Sequence, residues 1–359
     1  MSTKNSNARR TSTSAAVPPG PRAKIVDVAR EAGVSITTVS HALNGRGQVD
    51  PKTREHVARV ARKLGYRPNR HAQQLRRTSA QVIALVSSMP FSVAGGPARL
   101  GFMMEIAAVA ASVALERGLA LVLVPPSQAA ASAIEGVDVD AALVLEPARD
   151  DPQLEQLVQR GIPIVTIGRQ PDETRNLPCI DLRSHETTML LLEHLRAQGA
   201  RHIGLLGGSQ QRSPYTESAS AYAEFAKTHR MRPITAVADE LLGEEGGRIA
   251  AREMLRQEPQ LDAICAPVDA FAVGAVLAAR ETRRTVPGDL MIATRYDGRR
   301  ARECQPPLTA LDLHLEVVAT QAIKLLLEHL RGDSTRKTLR APAASLVVRE
   351  SSASAPAAR

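Results

Sequence analysis

The chain is 359 residues long, 43% hydrophobic, only 2% aromatic with no Trp, and carries a formal net charge of +9. That length predicts two or three units, with a core built from Val, Leu, Ile and Ala. Cys179, Cys265 and Cys304 are widely spaced and form no CxxC pair, which argues against a disulfide framework or a zinc ribbon. No stretch approaches the length of a transmembrane helix, so no membrane partner is expected.

In chain order, the opening stretch MSTKNSNARRTSTSAAVPPGPR is rich in Ser, Thr, Asn and Pro and has no apolar run able to act as a signal-peptide core. Residues 1–22 are therefore expected to form a disordered tail, and the protein to be soluble and cytoplasmic. The excess positive charge sits at this end. Residues 1–80 hold 16 Lys/Arg against Asp27, Glu31, Asp50 and Glu55, a net of +12, while the remaining 279 residues carry a net of −3. A basic end on a near-neutral body predicts a polyanionic partner there; the competing reading is a solubilising tail.

Ile25, Val28, Ala29 and Ala32 recur at helical spacing and Gly33 breaks the run. Ser35 can cap a second helix with Val39, Ala42 and Leu43 on its buried side, and NGRG at 44–47 ends it. A third helix opens at Asp50-Pro51 and buries Val57, Val60, Ala61 and Leu64. Three short helices, the first two joined by a tight Gly turn, predict a helix-turn-helix unit over 23–67. On the second helix Thr37, Ser40, His41 and Asn44 lie opposite Val39 and Leu43, where short hydrogen-bonding side chains can reach base edges or phosphates. Alone, that pattern fits a solvated amphipathic face equally well; the surrounding charge favours double-stranded DNA.

From Gln81 the character changes. VIALV, LALVLVP, AALVLEP, IPIVTIG, HIGLLGG, DAICAP and LMIATRYD are short apolar runs, separated by helical segments such as 100–116, 184–198, 246–257 and 269–283. Alternating strands and helices predict parallel sheets covered on both faces. The amount of chain calls for two α/β lobes with a cleft, where ligands bind beyond the carboxyl ends of the strands. Residues 81–351 are assigned to this body and 352–359 to a second disordered tail.

The run AKIVDVAREAGVSITTVSHALNGRGQVDPKTREHVARVARKLGYRPNRHAQQLRR resembles the head-piece of the LacI/GalR family of transcription regulators, its recognition helix being especially similar to that of the purine-repressor branch. The likeness continues through a hinge at 68–80 and, more loosely, through VPGDLMIATRYDG and PPLTALDL to SLVVRES. The resemblance implies an all-α helix-turn-helix head-piece on a two-lobed, periplasmic-binding-protein-like α/β core. It implies a homodimeric repressor on a palindromic operator, with one recognition helix per major-groove half-site. Ile36, Thr37 and His41 match its base-reading positions, while Thr38 and Ser40 would serve phosphates and helix packing. Ile36 can meet a thymine methyl, and a Thr or His can bond a base edge. In the hinge, Leu75 matches a leucine that wedges into the minor groove, flanked by Asn69, Arg70, Ala72, Gln73 and Arg76. Unstacking a base step costs a few kcal/mol, offset by the contacts a bent duplex allows.

In the body the resemblance offers Arg169, Arg212, Asp269 and Asp297 as contacts for a small-molecule effector. Each also has a competing role: Asp269 as a helix cap, Asp297 as a turn anchor, Arg212 as a solvated loop charge. A second family arginine is Ser218 here, and CIDLRSHETT keeps Asp181 without the Asn and paired glycines usual after it. A regulator with a degenerate pocket is therefore an alternative. A solute-binding protein of the same fold would leave the basic head unexplained. An enzyme is not expected, since no GxGxxG, Walker A, HExxH or GxSxG sequence occurs, and no cofactor is called for.

Overall fold

The computed structural model describes residues 25–44, 49–64, 81–94, 101–124, 138–171, 176–333 and 335–353, and the chain divides into two units, Met1–Thr78 and Ser79–Arg359. The first unit contains helices α1 (Ile25–Ala32), α2 (Ile36–Asn44) and α3 (Pro51–Lys63). Gly33 takes φ +64 at the end of α1, and the Val34 N–H donates back to the Ala29 carbonyl at 3.1 Å, satisfying one of the last open acceptors of that helix. The Ser35 hydroxyl receives the Thr38 N–H at 3.1 Å at the start of α2, and the Asp50 carboxylate receives that of Thr53 at 3.1 Å at the start of α3. Val28, Ala29 and Ala32 of α1 pack against Val39 and Ala42 of α2 and Val57, Val60 and Ala61 of α3. At the surface Lys63 meets Glu31 at 3.0 Å, an exposed pair that contributes little.

The second unit carries two parallel sheets. Its first lobe holds β1 (Gln81–Ser87), β2 (Leu119–Val124), β3 (Ala141–Leu145), β4 (Ile164–Ile167), β5 (Cys179–Asp181) and β11 (Thr338–Arg340). They lie in the order β11-β5-β4-β3-β1-β2, every neighbouring pair parallel. Helices α5 (Phe102–Leu115), α6 (Pro152–Gln159) and α12 (Leu315–Arg331) pack on this lobe, while α4 (Phe91–Ala94), which follows β1, lies against the second lobe. The second lobe holds β6 (Ile203–Gly208), β7 (Thr235–Ala238), β8 (Ala263–Ala266) and β9 (Met291–Thr294), in the order β7-β6-β8-β9 and again parallel. With them go α7 (Ser184–Ala197), α8 (Ser213–Thr228), α9 (Glu244–Gln257), α10 (Asp269–Glu281) and α11 (Arg299–Glu303). β10 (Ala310–Asp312) pairs antiparallel with β12 (Ser345–Val347). The chain passes between lobes after β5, returns after β10, and passes again between β11 and β12.

Covered faces explain the unbroken apolar runs. β3, β4 and β8 are buried at every residue, as expected where helices lie over both faces of a parallel sheet. The expected disordered tail from 352 requires correction. Ser351 and Ser352 are fully buried, and the Ser352 hydroxyl lies 2.7 Å from His194 Nε2 and 2.6 Å from Thr309 Oγ1. Ser351 receives the Thr309 N–H at 2.8 Å, so the packed chain reaches Ala353 through a polar seam that composition alone resembles a linker. The expected tail over 1–22 lies outside the described residues. Among the described residues no helix is long and apolar enough to cross a membrane.

α9 and α10 cross at glycines. A Cβ on Gly247 would lie 2.5 Å from Phe271 Cα, and one on Gly274 would lie 2.3 Å from the Glu244 carbonyl oxygen. Backbone atoms cannot yield as a flexible side chain can. Gly274→Ala is expected to destabilise the second unit by about 1–3 kcal/mol or more, the range for overpacking, seen as a lower urea midpoint by circular dichroism. An unchanged midpoint would mean that the two helices can slide apart freely.

Candidate functional site

Two places gather polar side chains that the packing does not require. The first is the outer face of α2. Val39 and Ala42 are buried, whereas Ile36, at 48% exposure, Thr37 and His41 project from the opposite side. A β-branched apolar residue held this far into solvent has no packing role within the unit. Thr38 and Ser40 are half-buried, and the Thr38 hydroxyl sits 2.9 Å from Ser35 Oγ, so it reinforces the helix start. Asn44 is the last residue of α2. The expected hinge contacts Asn69, Arg70, Ala72, Gln73, Leu75 and Arg76 lie outside the described residues.

The second place lies where the carboxyl ends of the strands of both lobes face each other. Arg212, after β6, is only 2% exposed. Its Nε is 3.1 Å from Glu240 Oε1, after β7 in the same lobe. Its Nη1 reaches the first lobe, 2.8 Å to the Glu146 carbonyl oxygen and 3.0 Å to Ser88 Oγ. The solvated loop charge weighed for Arg212 is thus overturned: its guanidinium is a buried joint between lobes. Arg295, after β9, forms a second buried ion pair with the Glu146 carboxylate and donates to Ser184 Oγ at 2.7 Å. The Arg149 N–H donates across the cleft to the Gln211 carbonyl at 2.9 Å.

The remaining expected effector contacts divide. Arg169, after β4, keeps a side chain 43% exposed, lies 3.1 Å from Asp181, and lends its carbonyl to the Ser213 hydroxyl across the cleft at 3.1 Å. Nearby on α8, burial and then the Asp181 charge push the Glu217 carboxyl up. Asp269 is the first residue of α10 and accepts the Ala270 N–H at 2.8 Å, with Arg300 at 3.3 Å; burial raises its pKa. The expected N-cap role is not met, since the cap position is Val268 and no side chain caps this helix; the buried Asp269 carboxylate instead pairs with Arg300. Asp297 is gripped by Arg349 at 2.7 Å and Arg302 at 3.3 Å, so its carboxylate anchors the segment after β12 rather than joining the cleft arginines. Ser218 is fully buried and 2.7 Å from Thr188 Oγ1, which packs α8 on α7 where the family carries a second arginine.

Sequence reasoning missed Glu146, Glu240 and Arg295. The usable signal was a charged residue directly ending an apolar run, as in AALVLEP and MIATRYD. Ring faces are also occupied: Phe102 meets Tyr296 edge-on with centroids 5.5 Å apart, and Tyr215 stacks on Phe271 at 6.3 Å.

Comparison with known proteins fits this pairing of parts. Residues 24–69 match the model described as bacterial regulatory proteins, lacI family, and residues 192–352 match the periplasmic binding protein-like domain. The HTH-type transcriptional regulator CelR of Thermobifida fusca is 31% identical over 337 residues, covering 90% of this chain and 96% of that one. The chain belongs to the lacI family. Its DNA-binding head-piece and two-lobed core are those of a transcription regulator, and the family is not one of enzymes. The Ribose operon repressor of Halalkalibacterium halodurans is 26% identical over 85% of this chain and 90% of that one. Among solved structures, a transcriptional regulator CelR-cellobiose complex aligns at TM-score 0.67 and 28% identity, over 92% of this chain and all of the other. A lac repressor dimer bound to operator and the anti-inducer ONPF aligns at TM-score 0.65 and 23% identity, over 93% of this chain and all of the other, a likeness of fold.

In this lacI-family head-piece the placement of α2 depends on its cap. Ser35→Ala should cost about 1 kcal/mol of local stability, read as faster amide hydrogen exchange along α2, and Ser35→Asp should restore it. Equal exchange in Ser35→Ala would assign the helix start to packing alone.

Proposed function

We propose that this protein is a cytoplasmic transcriptional repressor that binds a palindromic operator as a homodimer, its affinity set by a small molecule held between the two lobes. The observation that carries the DNA half of this reading is the face of α2. Ile36, Thr37 and His41 stand exposed together on a helix whose other side is fixed by Val39 and Ala42. An exposed Ile suits a thymine methyl, and Thr and His suit donor and acceptor edges of the major groove. Thr38 and Ser40 serve phosphates and helix packing, and Asn44 is assigned to the same set of DNA contacts. In the hinge, Leu75 is the minor-groove wedge, with Asn69, Arg70, Ala72, Gln73 and Arg76 along the phosphates and groove walls. One such unit makes few contacts, and two-fold pairing doubles them over a palindrome.

The effector is a small polar molecule such as a sugar. The likeness to a CelR-cellobiose complex supports that class. Arg169 is the cleft arginine with a partly open guanidinium and is the residue assigned to it. Arg212, already engaged at every nitrogen, acts through the lobe arrangement, and Asp269 and Asp297 keep structural roles. A ligand changes operator affinity only by binding the DNA-competent and incompetent arrangements unequally. A second reading, a regulator whose cleft has lost its effector, is favoured by one observation: Ser218 is sealed in the α7–α8 contact.

Selection of bound duplexes from a random pool, with full-length protein at a stated salt concentration, tests the reading. Enrichment of a palindrome with a central C-G step is expected; binding without enrichment, with and without cell metabolites, would reduce the head to a non-specific polycation. His41→Ala should lose about 1–3 kcal/mol of base discrimination at one symmetric pair of positions, checked by competition with single-base operator variants. Leu75→Ala should weaken specific binding while leaving non-specific binding near wild type, and equal losses on both would remove the wedge.

A further inference from the structure

We propose that Arg295 and Glu146 form an internal clasp that closes the effector cleft with no ligand present, and that this pair determines which ligand can enter. The proposal rests on the cleft being the effector site. The two residues are 149 positions apart and belong to different lobes, so only closure of the lobes brings them together. Both side chains are 5% exposed in the ion pair.

Glu146 is held from two directions. Its carboxylate meets Arg295, while its carbonyl receives Arg212 Nη1 at 2.8 Å. The residue sits at φ +37, a backbone conformation that side-chain-bearing residues adopt only when surroundings over-determine it. Closure also runs to atomic contact at a second place. Ser92 Oγ donates to the Glu240 carbonyl at 2.8 Å, and a Cβ on Gly243 would lie 2.8 Å from Ser92 Cβ. Polar side chains of the chain thus occupy positions that a bridging ligand would otherwise fill.

The clasp is incomplete in one respect. Arg295 Nε is buried and has no hydrogen-bond partner among the described residues. Buried donors are rarely left open, and this one marks where a ligand acceptor is still wanted. A ligand that takes Arg295 away from Glu146 must also satisfy the carboxylate, because a buried charge left alone is strongly unfavourable. The pair therefore selects a molecule presenting an acceptor and a donor side by side, as vicinal hydroxyls do. A bare anion satisfies Arg295 only and a bare cation Glu146 only, so both are rejected.

The amide of Arg149 reports on the clasp, since its acceptor is the Gln211 carbonyl of the other lobe. Hydrogen exchange is measured on full-length protein without ligand or DNA, for wild type, Glu146→Gln and Arg295→Met. In wild type the Arg149 amide should be protected; in both variants it should exchange at least tenfold faster while β3 and β8 amides keep wild-type rates. Free exchange of Arg149 in wild type, or wild-type protection in both variants, overturns the proposal. Should either variant lose β3 and β8 protection as well, the double variant Glu146→Gln/Arg295→Met, which leaves no buried charge unpaired, carries the test: acceleration confined to Arg149 supports the clasp, and wild-type rates overturn it. Because no operator is present, failure here is separate from failure of the DNA-binding reading, which the duplex selection detects.

Discussion

A guanidinium cannot shed its charge, so burying one commits the surrounding chain to supplying acceptors for it. Arg212 makes that demand at the junction of the lobes. Glu240 answers from the end of β7, Ser88 from the end of β1 and the Glu146 carbonyl from the end of β3. Three strand ends from two sheets are thereby held to hydrogen-bonding tolerance around a single side chain. Withdrawal of Arg212 would leave Glu240 as a lone buried carboxylate, a change that costs about 3–5 kcal/mol in comparable pairs.

The head-piece and the cleft meet recognition in different ways. On α2 the exposed side chains stand out in solvent, and in the function proposed for them specificity comes from what the duplex offers. In the cleft the side chains are already bonded to each other, and a newcomer has to match what it displaces. The first arrangement suits contact with a large polyanion whose charge supplies most of the affinity. The second suits discrimination among small molecules, where one unpaired buried group outweighs several good contacts.

Local structure was readable in the sequence to the extent that burial imposes a pattern. Runs such as AALVL and AICA became strands buried throughout, and Gly33, Ser35 and Asp50 mark helix ends as their chemistry predicts. β5, β11 and β12 are only three residues long, and β7 has an edge pattern with Val237 exposed, so none carries a periodic signature. The site was less readable. Asp297 and Arg295 lie two residues apart in TRYDG, and family likeness pointed to the former; three-dimensional pairing took Asp297 to Arg349 and Arg295 to Glu146. Whether a charge faces a cleft or a seam depends on partners more than fifty residues away, and no local pattern encodes them.

The interleaving of the lobes bears on how the chain is made. β11, the edge strand of the first sheet, and α12, which packs on that sheet, follow β6 to β10 of the second lobe in sequence. As the polypeptide leaves the ribosome, the head-piece has every partner of its core by Leu64, and its contacts span short loops that close quickly. The first lobe must wait with β5 unpaired on one side until residue 338 arrives, its edge open throughout synthesis of β6 to β10. An open parallel edge is a template for pairing with other chains. Nascent protein should thus acquire its nucleic-acid-binding module well before it acquires the body that regulates it, and truncated products would carry the former without the latter.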